Sequence, residues 1–298
     1  KMKKILILGA NSYIGTSFRK YLTTEYPEQY IVDTVSLRGD AWKSMDWTDH
    51  DSVINVTGKA HADITTLSDA EKQEYYTVNC ELACEAAQKA ITDRVKQYVY
   101  FSSIIVYGDS SNSRKPVRIT ADTQPDPSNF YGDSKWQAEH RLTQLFDAVI
   151  DDTKLAIIRP PMIYGSGSKG NFQMLKKLAE KLPVFPTYQN ERSMLYIENL
   201  SEFLRLLVED CREGVFLPQN PEYVSTADMV FEISDVERKK MAHWAWLNPF
   251  VKLAFFFPGK MGKMAKKAFG SMTIDMELSH AVQGYQKYAL RESIQRSI

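Results

Sequence analysis

The sequence predicts a doubly wound α/β fold. Three observations carry that expectation: six short apolar runs recur through about residue 220, helical stretches separate them, and a glycine-bracketed turn follows the first run. The runs are KILILG, YIVDTVSL, SVINVTG, QYVYFSS, LAIIRP and GVFLPQ. Continuous apolar strands joined by crossover helices belong to a parallel sheet covered on both faces.

Taken in order, the opening KMKKILILGA places basic residues before an apolar run. The run is too short for a secretion-signal core and ends at Gly9 without a small-residue cleavage pattern, so it reads as the first strand. It leads into GANSYIG, with Gly9 and Gly15 six residues apart where a helix should begin. Glycine permits the tight turn and close helix–strand packing, and the amides of a helix N-terminus receive a pyrophosphate. Ser12 stands where a third glycine is expected, so this fingerprint is incomplete. Helical periodicity then marks EKQEYYTVNCELACEAAQKAI, SKWQAEHRLTQLFDAVI and NFQMLKKLAEKL. Loops concentrate at 108–129 and 164–171, each after a predicted strand, where α/β sheets bind ligands.

Beyond residue 220 the alternation stops, and HWAWLNPFVKLAFFFPGKMGKMAKKAFG reads as part of a smaller, mostly helical lobe closing over a cleft. A basic amphipathic helix on a membrane surface is the rival, because Lys260, Lys263, Lys266 and Lys267 cluster there; a solvated face beside a packing face is the commoner explanation. VKLAFFFP, at 251–258, is too short to span a bilayer.

Composition narrows the function. The chain has 298 residues, 44% hydrophobic, enough for a substantial core. Lys plus Arg equal Asp plus Glu at 37 each, so no overall field gathers nucleic acid or acidic membrane, and an anionic ligand must be met locally. Cys80 and Cys84 lie at i and i+4, a spacing that buries small side chains on one helix face; with Cys211 they form no CxxC pair and fit a reducing cytoplasm. No His/Cys/Asp/Glu cluster has metal-ligand spacing, and the Ser102–Ser103 strand lacks a GxSxG elbow, so metalloenzyme and hydrolase readings fall away.

NFYGDSK, at 129–135, sets Tyr131 and Lys135 one helical turn apart. Spacing alone leaves an amphipathic helix and a proton-transfer pair equally open. Other segments decide between them. GANSYIG, FSSIIVYG, YGDSK, IIRPPMIYG and RSMLYIENL occur in the order of the extended short-chain dehydrogenase/reductase family, and the likeness covers roughly the first 220 residues. Within it the chain most resembles the nucleotide-sugar epimerase/dehydratase branch, whose dinucleotide-binding half is Rossmann-like.

That resemblance implies an acid/base role for Tyr131, with Lys135 lowering its pKa and holding the nicotinamide ribose while Ser103 binds the reacting hydroxyl. A free tyrosine, near pKa 10, is a poor base at neutral pH without such a cation. The cofactor is expected to contact Gly9, Asn11, Ser12, Tyr13, Ile14, Gly15, Thr57, Gly58, Asn79, Ser102, Pro160 and Met162 besides Tyr131 and Lys135. Asp33 lies at a plausible distance from Gly9 to bond an NAD ribose but sits inside its strand, whereas Ser36 and Arg38 follow it; Arg38 would accommodate a 2'-phosphate, so NADP is favoured over NAD. Arg192 resembles the clamp on a substrate diphosphate, with Lys169 and Asn171 as further substrate contacts and His61 as a lesser one.

The expected organisation is a dinucleotide-binding domain at 1–165 and 193–220 and a substrate lobe at 166–192 and 221–298. The expected activity is NAD(P)-dependent 4-epimerisation of a nucleotide-activated sugar, a UDP-hexose, through a transient 4-keto sugar, in a cytoplasmic enzyme without transmembrane segment; the family commonly forms homodimers. A 4-ketoreductase uses the same residues for one hydride transfer. Dehydration is disfavoured because Ile104 and Ile105, rather than an acidic pair, follow Ser103. A non-catalytic dinucleotide sensor would have no need of the acid/base.

Overall fold

A computed structural model describes residues 2–60, 67–109, 116–149 and 153–298. Its strands are β1 (Lys3–Leu8), β2 (Tyr30–Val35), β3 (Ser52–Asn55), β4 (Gln97–Phe101), β5 (Val117–Ile119), β6 (Lys154–Ile158), β7 (Met162–Tyr164), β8 (Val184–Phe185), β9 (Met194–Tyr196), β10 (Gly214–Phe216), β11 (Ala242–His243) and β12 (Met272–Ile274). Six of them form one sheet in the order β10-β6-β4-β3-β1-β2, with every neighbouring pair parallel. These are the six apolar runs of the sequence.

Alternation along the strands explains the two covered faces. Ile5 and Ile7 point into a core with Phe18 and Leu22 of α1 (Tyr13–Glu25), whereas Leu6 and Leu8 join a second core on the opposite face. In that second core Ala83, Ala86, Ala87 and Ala90 lie against the sheet, as do Ala138 and Leu142. The first three helices after α1 are α2 (Ala41–Ser44), α3 (Asp69–Tyr76) and α4 (Leu82–Thr92), and the alanines are α4's. Ala138 and Leu142 belong to α5 (Phe130–Asp147), the helix begun by NFYGDSK.

Further along run α6 (Asn171–Lys181), α7 (Ile197–Glu209), α8 (Thr226–Val236), α9 (Asn248–Ala254) and α10 (Gly259–Phe269). Leu200, Phe203, Leu204 and Leu207 of α7 complete the first core, and Ala227, Val230 and Ile233 of α8 continue it with Tyr285 and Ile294. The C-terminal segment thus packs on the same apolar mass as the sheet.

Two expectations are corrected. The helical run at 71–91 is interrupted by a π turn over Thr77–Glu81, an insertion that apolar spacing does not register. The loop at 108–129 contains β5, which pairs in parallel with β12. Two further parallel pairs, β7 with β9 and β8 with β11, form separate two-stranded sheets.

Candidate active site

The order of strand addition reverses at β1 while the strands stay parallel: β2 lies on one side of β1, and β3, β4, β6 and β10 on the other. Such a switch point opens a crevice beyond the carboxyl ends of the strands. Gly9 leaves β1 with φ of 111°, and a Cβ on it would stand 3.2 Å from both Thr57 Oγ1 and Val56 Cγ2 at the end of β3. A side chain there would fill the crevice. Ser12 N donates to Gly9 O at 2.9 Å, closing the turn, and Ser12 Oγ accepts from Gly15 N at 2.9 Å as the N-cap of α1. The serine that breaks the glycine fingerprint is therefore a helix cap. A Cβ on Gly15 would meet Ile7 Cγ2 at 2.9 Å, so only glycine lets α1 sit this close to β1. Asn11 is exposed beside the turn, and Tyr13 and Ile14 form the first turn of α1.

The residues lining this crevice fit a dinucleotide. Thr57 Oγ1 and Ser102 Oγ, at the ends of β3 and β4, are buried hydroxyls with no hydrogen-bond partner among the described residues, and the turn above them presents the N-terminus of α1 to an anion. At the edge of the sheet, Asp33 is paired with Leu6 in mid-strand and its carboxylate lies 3.0 Å from His50 Nε2. Arg38, by contrast, is exposed just past β2, its N–H donating to Ser36 Oγ at 3.2 Å.

Every residue of NFYGDSK has a structural partner. Asn129 caps α5, its Oδ1 accepting from Gly132 N at 2.9 Å. Phe130 meets Tyr75 edge to face at 4.9 Å between ring centres. A Cβ on Gly132 would lie 2.8 Å from Ile105 O, so glycine allows the start of α5 to press against the 3-10 turn Ile104–Tyr107 that Ser103 caps. Tyr76 OH donates to Asp133 Oδ2 at 2.7 Å. Ser134 Oγ donates to Tyr131 O at 2.8 Å and accepts from Asn79 Nδ2 at 3.0 Å. Lys135 Nζ donates to Phe101 O at 2.8 Å, above the Tyr100 ring.

This packing sets Ser103 beside Tyr131 and seats Lys135 one turn along the same helix. Burial pushes the Tyr131 phenol up to about 12, while the Ser103 side chain beside it pulls the other way and Tyr75 adds to the rise. Burial lowers Lys135 to about 7, opposed by the Glu139 carboxylate one turn along α5. The expected lowering of Tyr131 by Lys135 is not among the effects acting on the phenol; desolvation dominates both groups. Chemically, a protonated phenol beside a serine hydroxyl can donate to a carbonyl oxygen, and it becomes a base when positive charge is brought next to it.

Asn79, within the π turn, is fully buried: its Oδ1 accepts from Lys59 N at 2.8 Å and its amide donates to Lys59 O at 3.1 Å. It clamps the loop after β3 rather than opening onto the crevice. A Cβ on Gly58 would stand 3.1 Å from Lys135 Nζ and 3.3 Å from Asn79 Oδ1, so loop, clamp and lysine share one contact. Pro160 is buried after β6, its carbonyl accepting from Ile104 N at 3.1 Å, and Met162 opens β7 half-buried.

Arg192 bridges to Val224 and Met272, and its Nη1 donates to Lys267 O at 3.0 Å and Ala268 O at 3.5 Å in the last turn of α10. Lys169 and Asn171 are exposed at the start of α6, near the turn where Gly165 would clash with Tyr13 OH if it bore a Cβ. His61 lies outside the described residues.

Comparison with known proteins bears on this architecture. Residues 5–216 match the NAD dependent epimerase/dehydratase family. The chain belongs to that family. A UDP-glucose 4-epimerase of Vibrio cholerae is 29% identical over an alignment 311 positions long, covering 95% of this chain and 90% of the relative. An N-acetyl-alpha-D-glucosaminyl-diphospho-ditrans,octacis-undecaprenol 4-epimerase of Escherichia coli O157:H7 is 27% identical, covering 70% of this chain and 64% of that one. The fold is also that of a dTDP-4-dehydrorhamnose reductase of Bacillus anthracis solved in complex with NADP, at TM-score 0.71 and 17% identity, covering 100% and 99% of the two chains. Membership in the epimerase/dehydratase family makes the protein a nicotinamide-dependent enzyme of nucleotide-sugar chemistry.

Within this family site, sequence reasoning missed Gly132, Ser134, Glu139 and Arg159. Arg159 Nε donates to both Glu139 carboxylate oxygens at 3.1 Å, a buried pair beneath Lys135. Glu139 follows Lys135 by one helical turn, and that spacing was the available signal.

Proposed function

We propose that the protein is an NAD(P)-dependent 4-epimerase of a nucleotide-activated sugar, a UDP-hexose, working through a transient 4-keto sugar. The observation that carries this reading is Ser103 beside the Tyr131 phenol, with Lys135 one turn along α5 seated on Phe101 O and close to Gly58 in the loop after β3. Similarity to a UDP-glucose 4-epimerase over nearly the whole chain supports the same activity.

Bound nicotinamide supplies the hydride acceptor and donor. Tyr131 takes the proton of the sugar 4-hydroxyl and returns one to the 4-keto oxygen, Ser103 orients that oxygen, and Lys135 offsets the phenolate charge in its protonated form. Asn79 and Ser134 keep the lysine and tyrosine in register. Residues 166–192 and 221–298 form the substrate lobe, in which Arg192 meets the diphosphate, with Lys169 and Asn171 at its margin. The E. coli relative acts on a sugar diphosphate carried by a polyprenol, so the same clamp serves either carrier. Arg38 selects NADP through its 2'-phosphate, because Asp33 is engaged by His50.

Interconversion of UDP-glucose and UDP-galactose by the purified protein, with no net change at the nicotinamide absorbance band, tests the reading. Stoichiometric oxidation of NAD(P)H by a 4-keto sugar with no epimer formed would reject it in favour of the reductase. Tight NAD binding that Arg38→Ala leaves unchanged would overturn the NADP preference.

A further inference from the structure

The segment from Trp244 to Gly270 is built with two unlike faces. On its inner side Phe255 meets Tyr188 at 5.9 Å between ring centres, and Phe269 meets Tyr188 at 5.8 Å and Phe185 at 6.0 Å. These contacts fasten α9 and α10 to the body of the protein. The outer side is apolar: Trp246, Phe250, Leu253, Phe256 and Met264 are each between 55% and 66% exposed. Trp244 and Trp246 lie 5.2 Å apart and Trp246 and Phe250 6.1 Å, so the aromatic residues form one patch rather than scattered side chains.

Charge accompanies the patch. Between Glu237 and Asp275 the chain has seven lysines and no acidic residue, although the whole protein is neutral. Lys252 and Lys263 are exposed next to Leu253 and Met264, and Lys267 lies in the last turn of α10. Tryptophan and phenylalanine beside lysines, on helices too short to cross a bilayer, match the chemistry of an anionic lipid–water interface: rings enter the headgroup layer and ammonium groups meet lipid phosphates. A solvated face would not carry so much exposed aromatic surface, and a neutral protein partner would not call for a stretch of chain with seven lysines and no acidic residue.

We infer that the outer face of α9 and α10 docks the enzyme peripherally on an anionic phospholipid surface. The inference is independent of the epimerase reading. Docking sets this hairpin between the bilayer and Arg192, because the carbonyls of Lys267 and Ala268 that hold the Arg192 guanidinium belong to α10.

Co-sedimentation of the full chain with vesicles tests it. Phosphatidylcholine vesicles containing about a third phosphatidylglycerol are expected to pellet the protein in low salt, and phosphatidylcholine alone to leave most of it in solution. The double variant Lys252→Glu, Lys263→Glu should weaken the anionic-vesicle affinity about tenfold or more, Lys252→Arg with Lys263→Arg should retain it, and Trp246→Ser with Phe250→Ser should weaken it even where salt screens charge. Urea unfolding of all three should stay at the wild-type level, which separates loss of docking from loss of the fold. Equal partition onto neutral and anionic vesicles, or anionic binding untouched by both disruptive variants, overturns the proposal. So does a concentration-dependent dimer that Trp246→Ser dissociates, since a second copy would then cover the face.

Discussion

Replacing Lys135 with methionine should make the protein more stable while nearly abolishing its activity. Burial lowers the lysine from 10.5 to about 7, and at about 1.4 kcal/mol per unit the difference corresponds to at most about 5 kcal/mol of destabilisation from holding the charged form in the fold. Against this, Lys135 Nζ donates to Phe101 O at 2.8 Å, and leaving that buried carbonyl without its donor costs about 1–3 kcal/mol. Methionine nearly matches the lysine stem in volume, so no large cavity opens. The net expectation is a gain of about 2–4 kcal/mol at pH 6. The sign follows from proton counts: between the folded value near 7 and the unfolded value of 10.5, the unfolded lysine holds more protons than the folded one, so wild-type stability from this group rises with pH. The advantage of the variant is therefore full below pH 7 and shrinks steadily toward pH 10. Urea unfolding of both proteins at pH 6, 7.5 and 9 reads it directly. A variant less stable than wild type at pH 6, or a difference that does not change with pH, would refute the burial argument.

Tyr131→Phe should lower kcat about a hundredfold or more while urea unfolding and dinucleotide titration remain near wild type, because the lost group transfers a proton and anchors little else; wild-type turnover would remove the residue from the mechanism. Gly132→Ala drives a Cβ to 2.8 Å from Ile105 O and should cost about 1–3 kcal/mol in chemical denaturation, with turnover falling further than substrate affinity as Tyr131 is displaced from Ser103. Arg192→Ala should weaken binding of UDP-sugar far more than of dinucleotide by calorimetry. Equal losses for the two ligands would count against a diphosphate clamp.

Much of this molecule is legible from its sequence because its strands are buried on both faces. All six apolar runs are strands of one parallel sheet, α6 begins where its periodic segment begins, and α5 begins at Phe130, ahead of the periodic segment that starts at Ser134. What escaped was geometry that depends on close approach rather than on pattern. Ser12 reads as a defect in a glycine motif until its hydroxyl is seen capping Gly15 N. Gly132 carries no periodic signal, yet its missing Cβ sets how near α5 comes to the 3-10 turn. The π turn at Thr77–Glu81 adds a residue that no hydrophobic count detects, and it aims Asn79 at the Lys59 backbone. At Lys135 and Tyr131 residue type reveals charge but not solvent: burial is the largest effect on both groups, raising the phenol and lowering the ammonium.

The contacts around Lys135 also have a kinetic consequence. Asn79 meets Ser134 across 55 residues of chain, Lys135 meets Phe101 across 34, and Glu139 meets Arg159 across 20. Closing such loops is slow relative to forming any one helix, so local structure in α5 precedes the seat for its lysine. Until β4 is docked against α5, the ammonium has Glu139 one turn along its own helix but lacks both the Phe101 carbonyl and the burial that lowers it. A chain that is compact but wrongly registered thus lacks the seat of its lysine, and recovery of turnover during refolding reports completion of the sheet rather than collapse.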